Sequence, residues 1–396
     1  MHPAEKEATV RSKTKARLGV VGLGAIVVSV AATLPAHADY APSPSDIVGV
    51  GGDTPQFDLA FAADGDTNGD AGFNAAGAYN RLVTFNATAD GNARAAYKNG
   101  STLGSPANLN PTVTLRAGTS PVQRVQSSGA ALSALLADTG SPETINFVFS
   151  ASRPTSAQQA QAGTNGWGFL HVVQIGKDNV EFMAANNSHA PAGLSIQELL
   201  AIYKGTITQW NQLPGNSGGS SATIVPLIPP SSSSITKTFL ADLKTANGGT
   251  APTLSSAVKT VEQNDPSAIT GAPNPLDAIV PTSSARIDLY ASGYFHDPDT
   301  VFPGGAVINP GVTLVEGNPG DGNTPYQSNV DHYVIFRQSD ANSSTPMEPG
   351  GSKNFVQTLF SNPSAPTSPF FAKSTGKALV AAAGATPFYA DLGNVT

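Results

Sequence analysis

Four short loops in the sequence are rich in hydroxyl side chains, which can donate hydrogen bonds to an anion. Each follows a predicted strand, and most open a predicted helix, whose first backbone N–H groups and positive dipole end also attract anions. In chain order, the first to fourth loops are Gly52-Asp53-Thr54, Ser127-Ser128-Gly129, Ser150-Ala151-Ser152-Arg153 and Ser231-Ser232-Ser233-Ser234-Ile235-Thr236. The same residue types are ordinary helix caps. Together at the carboxyl ends of strands, however, the loops would form an anion site with few cations.

Short apolar runs precede these loops, and periodic apolar residues follow them. Residues 47–50, 145–150 and 224–228 are rich in β-branched and aromatic side chains, which predicts buried strands. Ser195 with Glu198 three positions later predicts a helix that begins with a capping box. This alternation of strand, loop and helix favours an α/β fold.

Two further predictions concern the connections between elements. Residues 169–175 and 180–184 are predicted as separate strands, because Lys, Asp and Asn at residues 177–179 are typical of a turn. The first loop is expected to cap a helix whose first residue is Pro55, a favoured position for proline.

The N-terminus has the pattern of a secretory signal peptide over residues 1–38. Five basic residues precede an uncharged apolar stretch at residues 18–34, and Ala36-His37-Ala38 supplies a small-residue cleavage site. An uncleaved membrane anchor is the alternative, although a stretch of 17 residues is at the short limit for a span. We expect a secreted or cell-surface, extracytoplasmic protein.

Length and charge narrow the possible functions. A chain of 396 residues is long enough for two domains or lobes. Without residues 1–38, which carry five basic and two acidic side chains, it has 16 basic and 26 acidic side chains and a net charge of −10. That charge argues against nucleic acid and anionic membranes as partners. The absence of cysteine excludes disulfides, thiol catalysis and lipid attachment through an N-terminal cysteine.

Several segments resemble the phosphate-binding type of periplasmic (type II) solute-binding protein of ABC transporters. The most specific similarity is residues 194–213, with the sequence LSIQELLAIYKGTITQWNQL. Residues 46–56 resemble that family's first strand and binding loop, and residues 224–240 resemble its second-lobe strand, hydroxyl loop and helix. Together with residues 147–154 and 172–184, the similarity covers most of the chain from Asp46 to residue 285.

The resemblance implies a two-lobed α/β fold of the periplasmic-binding-protein-like (type II) class, with hinge strands and an interlobe cleft. One lobe would consist of residues 39–183 and 281–396, and the other of residues 184–280. The implied function is capture of a small oxyanion, above all inorganic phosphate, for an ABC permease. No catalysis and no cofactor are expected, and the chain is expected to be a monomer.

Carried over position by position, the resemblance also implies ligand-binding residues. They are Asp53, Thr54, Ser127, Ser128, Gly129, Ser152, Arg153, Ser232, Ser234 and Thr236. The chain departs from the family at Pro229, where an arginine is common, and at Ser233 and Ile235, which replace glycines. The third loop also lacks the aspartate that phosphate-specific members place there. Arg153 or Arg124 would have to replace the missing arginine.

Two other functions use the same residues differently. Ser234-Ile235-Thr236-Lys237 matches the Ser-x-x-Lys pattern of penicillin-recognising enzymes, so a secreted serine hydrolase or phosphatase is an alternative. That enzyme would need a base near Ser234 or a metal site. A surface binding module that has lost transport is the other alternative.

A metal site is not expected. Residues 64–70 begin like a calcium loop, but the twelfth position is Ala75, where a bidentate glutamate is needed. The histidines after the signal peptide have no metal-ligand spacing with one another.

Overall fold

The computed structural model describes residues 41–66, 69–76, 80–85, 87, 112–291 and 311–396. The predicted signal peptide lies outside these residues. None of the helices in the described part has the length and hydropathy of a membrane span.

Strands and helices alternate along the described chain. The strands are β1 (Ile47–Gly51), β2 (Leu82–Phe85), β3 (Thr112–Val113), β4 (Val122–Gln123), β5 (Phe147–Ser150), β6 (Leu170–Ala185), β7 (Val225–Ile228), β8 (Lys259–Thr260), β9 (Ala278–Ser283), β10 (Val312–Leu314), β11 (Ser328–Arg337) and β12 (Thr386–Gly393). The helices are α1 (Gln56–Asp64), α2 (Ser128–Ala137), α3 (Ser156–Thr164), α4 (Ile196–Lys204), α5 (Ser234–Ala246), α6 (Ser267–Thr270), α7 (Ser284–Ala291), α8 (Gln338–Ala341), α9 (Phe355–Leu359) and α10 (Ser374–Ala382).

One sheet runs through the molecule in the order β2-β1-β5-β11-β6-β9-β7-β8, and β10 and β12 pair with β6. At one end, β1 is parallel to β2 and to β5. At the other end, β7 is parallel to β8 and to β9. Strands β11 and β6 lie between these two parallel groups, and each pairs antiparallel with its neighbours β5, β6 or β9. The mixed α/β fold predicted from the sequence is confirmed.

The long strand β6 contributes to different hydrophobic cores along its length. Val173 and Ile175 pack in a core at one end with the buried rings of β5 and β11. Val180 and Phe182 pack in another core around Trp210. A strand that leaves one core and enters the next fits a crossing connection between two lobes. The lobe boundaries at residues 183 and 280 stay a prediction.

The prediction of a turn at residues 177–179 is wrong, because β6 is continuous over 16 residues. This segment pairs with β11 on one side, where Lys177 lies opposite Asp331 and Val180 opposite Ser328. The register shifts nearby, between His332 and Tyr333, as at a β-bulge. Cross-strand pairing therefore outweighs the local turn preference of Lys, Asp and Asn.

Of the two helix-capping predictions, one is confirmed and the other is wrong. Ser195 Oγ accepts from Glu198 N at 3.1 Å, and Glu198 Oε2 accepts from Ser195 N at 3.0 Å, which confirms the capping box of α4. In α1 the expected cap is wrong, because the N-cap is Pro55 and no side chain caps the helix. The side chains of Asp53 and Thr54 instead accept hydrogen bonds from Asn264 and Gln263.

Candidate functional site

The first three loops lie together. A side-chain carbon on Gly52 would be 2.8 Å from Ser128 N and 2.9 Å from Ser128 Oγ, so only glycine allows this approach of the first loop to the second. Ser128 Oγ accepts a hydrogen bond from Ala151 N of the third loop at 2.9 Å. Because β1 and β5 are parallel neighbours, the first and third loops leave the sheet at the same edge.

Two buried hydroxyl groups of these loops are oriented as donors. Ser128 and Thr54 are 4% and 6% exposed. Ser128 Oγ accepts from Ala151 N, and Thr54 Oγ1 accepts from Gln263 Nε2 at 2.8 Å. Each hydroxyl has one hydrogen to donate, and in both cases that hydrogen is left for another acceptor. A pair of hydroxyls fixed in this way suits an oxyanion, which only accepts hydrogen bonds.

The N-terminus of α2 adds backbone donors. Ser127 Oγ caps the helix by accepting from Ala130 N at 3.3 Å. Within the described residues, the N–H groups of Ser128 and Gly129 have no acceptor. These two groups and the positive end of the helix dipole lie beside the Ser128 hydroxyl, where they would favour an anion.

The fourth loop contributes fewer donors than its sequence indicates. Thr236 Oγ1 donates to Pro229 O at 2.8 Å, so its hydrogen is already used. Ser233 Oγ caps α5 by accepting from Thr236 N at 3.3 Å. Ser234 is 6% exposed, and its hydroxyl forms no hydrogen bond with any described residue. Ser232 is exposed. No hydrogen bond joins this loop to the other three among residues that the structure describes.

The third loop folds back on itself. Ser150 Oγ donates to Ser152 O at 2.6 Å and accepts from Ser152 N at 3.0 Å. Arg153 is exposed, and its Nε donates to Tyr333 Oη at 3.0 Å. The guanidinium also lies 5.5 Å from the centre of the Tyr333 ring. Arg153 is therefore held against β11.

Asp53 serves as an acceptor for protein groups. Its Oδ1 accepts from Asn264 Nδ2 at 2.6 Å, and its Oδ2 accepts from Gln56 Nε2 at 3.1 Å. Arg286 Nη2 donates to Asp53 O at 2.7 Å, and Arg286 Nη1 lies 3.5 Å from Asp53 Oδ2. An ionised carboxylate has no hydrogen to give to an anion. Asp53 is thus placed to position its neighbours.

Three residues at this site were missed by the sequence analysis: Gln263, Asn264 and Arg286. The two amides precede β9, and Arg286 lies in the first turn of α7, which follows β9 directly. A signal for Arg286 was present, because Thr282-Ser283-Ser284 repeats the pattern of a hydroxyl-rich run after a strand and before a helix. The two amides carry no comparable pattern.

Asn264 joins the first loop to β9. Its backbone φ is +54°, a left-handed conformation that asparagine tolerates better than most residues. While its Nδ2 donates to Asp53, its Oδ1 accepts from Thr282 Oγ1 at 3.0 Å and from Ser283 N at 2.9 Å. One side chain therefore fixes the distance between the two segments.

A buried charge network lies under the site. His332 Nδ1 is 2.5 Å from Asp58 Oδ2, and His332 Nε2 is 3.7 Å from Asp178 Oδ2. Burial by itself would lower the pKa of His332, but the neighbouring carboxylates of Asp58 and Asp178 raise it to about 10. Asp178 Oδ1 also accepts from Ser284 Oγ at 3.1 Å and from Ala285 N at 3.0 Å. The network thus holds the start of α7, the helix that carries Arg286.

The described residues provide neither the base near Ser234 nor the metal site that the enzyme alternative needs. Ser234 has no basic side chain as a hydrogen-bond partner in the described residues, and Lys237 is exposed. A search of the same residues finds no group of three histidine, aspartate or glutamate side chains that could hold a metal.

Comparisons with known proteins give the family. A model of the PBP superfamily domain matches residues 87–362. No curated protein matches the chain. Solved structures with similar folds include a putative phosphate ABC transporter substrate-binding protein with bound phosphate from Clostridium perfringens, at 12% identity, TM-score 0.47, 87% of this chain and 99% of that chain. Another is an ABC-type phosphate transport receptor from Vibrio cholerae, at 13% identity and TM-score 0.45, with 86% of this chain and 99% of that chain covered. A third is a phosphate-binding protein from Stenotrophomonas maltophilia, at 14% identity and TM-score 0.46, with 86% of this chain and 90% of that chain covered.

The superfamily match spans more than half of the chain, from just after β2 to just past the end of α9. It includes the second, third and fourth loops together with Gln263, Asn264 and Arg286. On this match, the chain belongs to the PBP superfamily.

Proposed function

We propose that this chain is an extracytoplasmic solute-binding protein that captures a small oxyanion, above all inorganic phosphate, for an ABC-type importer. The observation that carries the proposal is the orientation of two hydroxyls. Gln263 and Ala151 donate to Thr54 and Ser128, and this leaves both hydroxyl hydrogens for a ligand. The N–H groups at the start of α2 add further donors for an oxyanion.

We assign the cation of the site to Arg286. Its side chain is 3% exposed and is held beside the first loop by Asp53. Its guanidinium neutralises the Asp53 carboxylate beside Thr54, which would otherwise repel an anion there. Arg153, by contrast, is held against β11 by Tyr333. Arg286 would therefore replace the arginine that is common in the family at the position of Pro229.

Capture requires contacts from both lobes. The first and second loops belong to the lobe formed by residues 39–183 and 281–396, whereas Gln263 and the fourth loop belong to residues 184–280. A ligand that accepts hydrogen bonds from both would shift the lobes toward the closed state, because it binds that state more tightly. Ser234, whose hydroxyl forms no bond within the described chain, is the proposed donor from the second lobe.

Substitution of the two oriented hydroxyls tests this site. We expect Thr54→Ala and Ser128→Ala each to weaken phosphate binding by about tenfold to 100-fold, since a hydrogen bond to a charged group contributes about 1.5–3 kcal/mol. Thr245→Ala is the matched control, because its exposed hydroxyl donates to Ala241 O on the outside of α5. Phosphate affinity equal to that of the control in both variants would place the ligand elsewhere.

A further inference from the structure

A cavity lies at the opposite end of β1 from the proposed anion site. It has a volume of about 600 Å³ and is lined by Ile47, the first residue of β1. The first loop follows Gly51, the last residue of that strand, about 13 Å away at about 3.3 Å per residue. No residue of the four hydroxyl loops lines the cavity. Its volume is in the range of small-molecule sites.

Two buried oxygen atoms in the cavity wall lack a hydrogen-bond donor. Asn80 is 8% exposed, and its Nδ2 donates to Met347 O, which fixes the orientation of the amide. Asn80 Oδ1 then has no hydrogen-bond partner among the described residues. Asp340 Oδ2 also has none, and the nearest cationic nitrogen is Arg337 Nη1 at 3.6 Å. Both oxygens lie buried behind the cavity surface, so the wall carries negative charge that no hydrogen-bond donor of the described residues offsets.

The charge around the cavity is negative. Asp340 and Glu348 line it, and no lysine, arginine or histidine does so among the described residues. Behind Asp340, the buried Arg337 is shared by three carboxylates: Nη2 lies 3.1 Å from Asp138 Oδ2, and Nη1 lies 3.1 Å from Glu143 Oε2 and 3.6 Å from Asp340 Oδ2. Arg116 adds a second positive charge near Asp138 and Glu143, but it also faces Asp46, so two guanidiniums are shared by four carboxylates and a further cation would be favoured.

The remaining wall is apolar. Pro44, Pro346, Met347, Pro349 and Phe355 contribute carbon surface on the sides of the cavity. We propose that this cavity binds a small organic cation, an ammonium or guanidinium group on a short apolar chain. The cation would lie at Asp340, whose side chain is 13% exposed, and the chain would lie against the prolines.

The protonation of Asp340 predicts that cation binding releases protons and depends on pH. Burial and the neighbouring Glu143 carboxylate raise the pKa of Asp340 to about 7, and Arg337 opposes this shift. The other titratable groups that face it are Asp138 and, at the rim, Glu348. A bound cation favours the ionised carboxyl, so binding near neutral pH should release protons. Affinity should rise by about fivefold to tenfold from pH 6 to pH 8 as the carboxyl ionises.

The test is calorimetric titration of the full protein with butylguanidinium and with butylurea, its neutral analogue of nearly the same shape. We expect butylguanidinium to bind, butylurea not to bind, and protons to be released at pH 7, as measured in two buffers of different ionisation enthalpy. Asp340→Asn should weaken the guanidinium at least tenfold. Glu316→Gln, which removes an exposed carboxylate that does not line the cavity, should change it less than about threefold.

Three outcomes would overturn the proposal. They are no butylguanidinium binding by the unmodified protein at about 10 mM, equal binding of the urea, or equal effects of the two substitutions. Proton release is measured on the unmodified protein, so the test holds even if Asp340→Asn fails to fold.

Discussion

The side-chain amide of Gln263 donates to the hydroxyl oxygen of Thr54 at 2.8 Å, across a sequence separation of 209 residues. This bond decides what the hydroxyl can do, because an oxygen that accepts from the amide keeps its own hydrogen for a ligand. Gln263 is thus a positioning residue for the proposed anion site.

We predict that Gln263→Ala weakens phosphate binding by about threefold to tenfold, because Thr54 would lose its fixed orientation. Affinities of the single variants and of the Gln263→Ala/Thr54→Ala double variant, measured by calorimetry, check this. The double variant should bind about as well as Thr54→Ala alone, since the amide acts through the hydroxyl. Fully additive losses would show that Gln263 acts independently of Thr54.

Arg286 and Asp53 form a buried pair, with 3% and 4% of their side chains exposed. Arg286→Met should lower the free energy of unfolding by about 3–5 kcal/mol, because the buried Asp53 carboxylate would lose the Arg286 charge. Arg286→Met/Asp53→Asn should recover part of that loss. Both variants should bind phosphate more weakly than the unmodified protein. Urea unfolding gives the stabilities.

The control for this pair is Arg81→Met, which removes an exposed pair with Asp64 at 3.6 Å. That substitution should cost less than about 1 kcal/mol. Equal losses of stability in Arg286→Met and Arg81→Met would show that the buried pair has no special role.

His332 predicts a particular dependence of stability on pH. Its pKa is raised from 6.5 to about 10 in the folded protein, so its protonated ring stabilises the fold fully below about pH 6.5. That contribution is lost as the pH rises through about 10. Unfolding free energies measured at pH 7 and pH 10 should therefore fall more in the unmodified protein than in His332→Gln. An equal fall in both proteins would contradict the ion pairs with Asp58 and Asp178.

Local sequence signals were enough for much of the fold. The β-branched run at the start of β1 and the Ser195–Glu198 capping box depend on neighbours a few residues apart, so the sequence alone predicts them. The turn predicted at residues 177–179 failed because β11 pairs along the whole segment. β12 was missed because its residues are mostly half-exposed and include Pro387, so no alternating pattern marks them.

The site was only partly predictable for a related reason. The hydroxyl loops are visible in the sequence, but the hydrogen each hydroxyl can still donate depends on partners far along the chain. The sequence indicates that Thr236 is a donor, but its hydrogen is already bonded to Pro229 O. It also indicates that Asp53 contacts the ligand, but that residue accepts hydrogen bonds from Asn264 and Arg286. Sequence spacing does not encode contacts over separations of 211 and 233 residues.

The most direct test of the central proposal is calorimetric titration of residues 39–396 with phosphate, and with sulfate for comparison, after exhaustive dialysis to remove bound anions. We predict phosphate binding with a dissociation constant of about 1 μM or below, corresponding to about −8 kcal/mol, and no heat with sulfate. Absence of heat with both anions would contradict oxyanion capture and leave only the membership of the PBP superfamily.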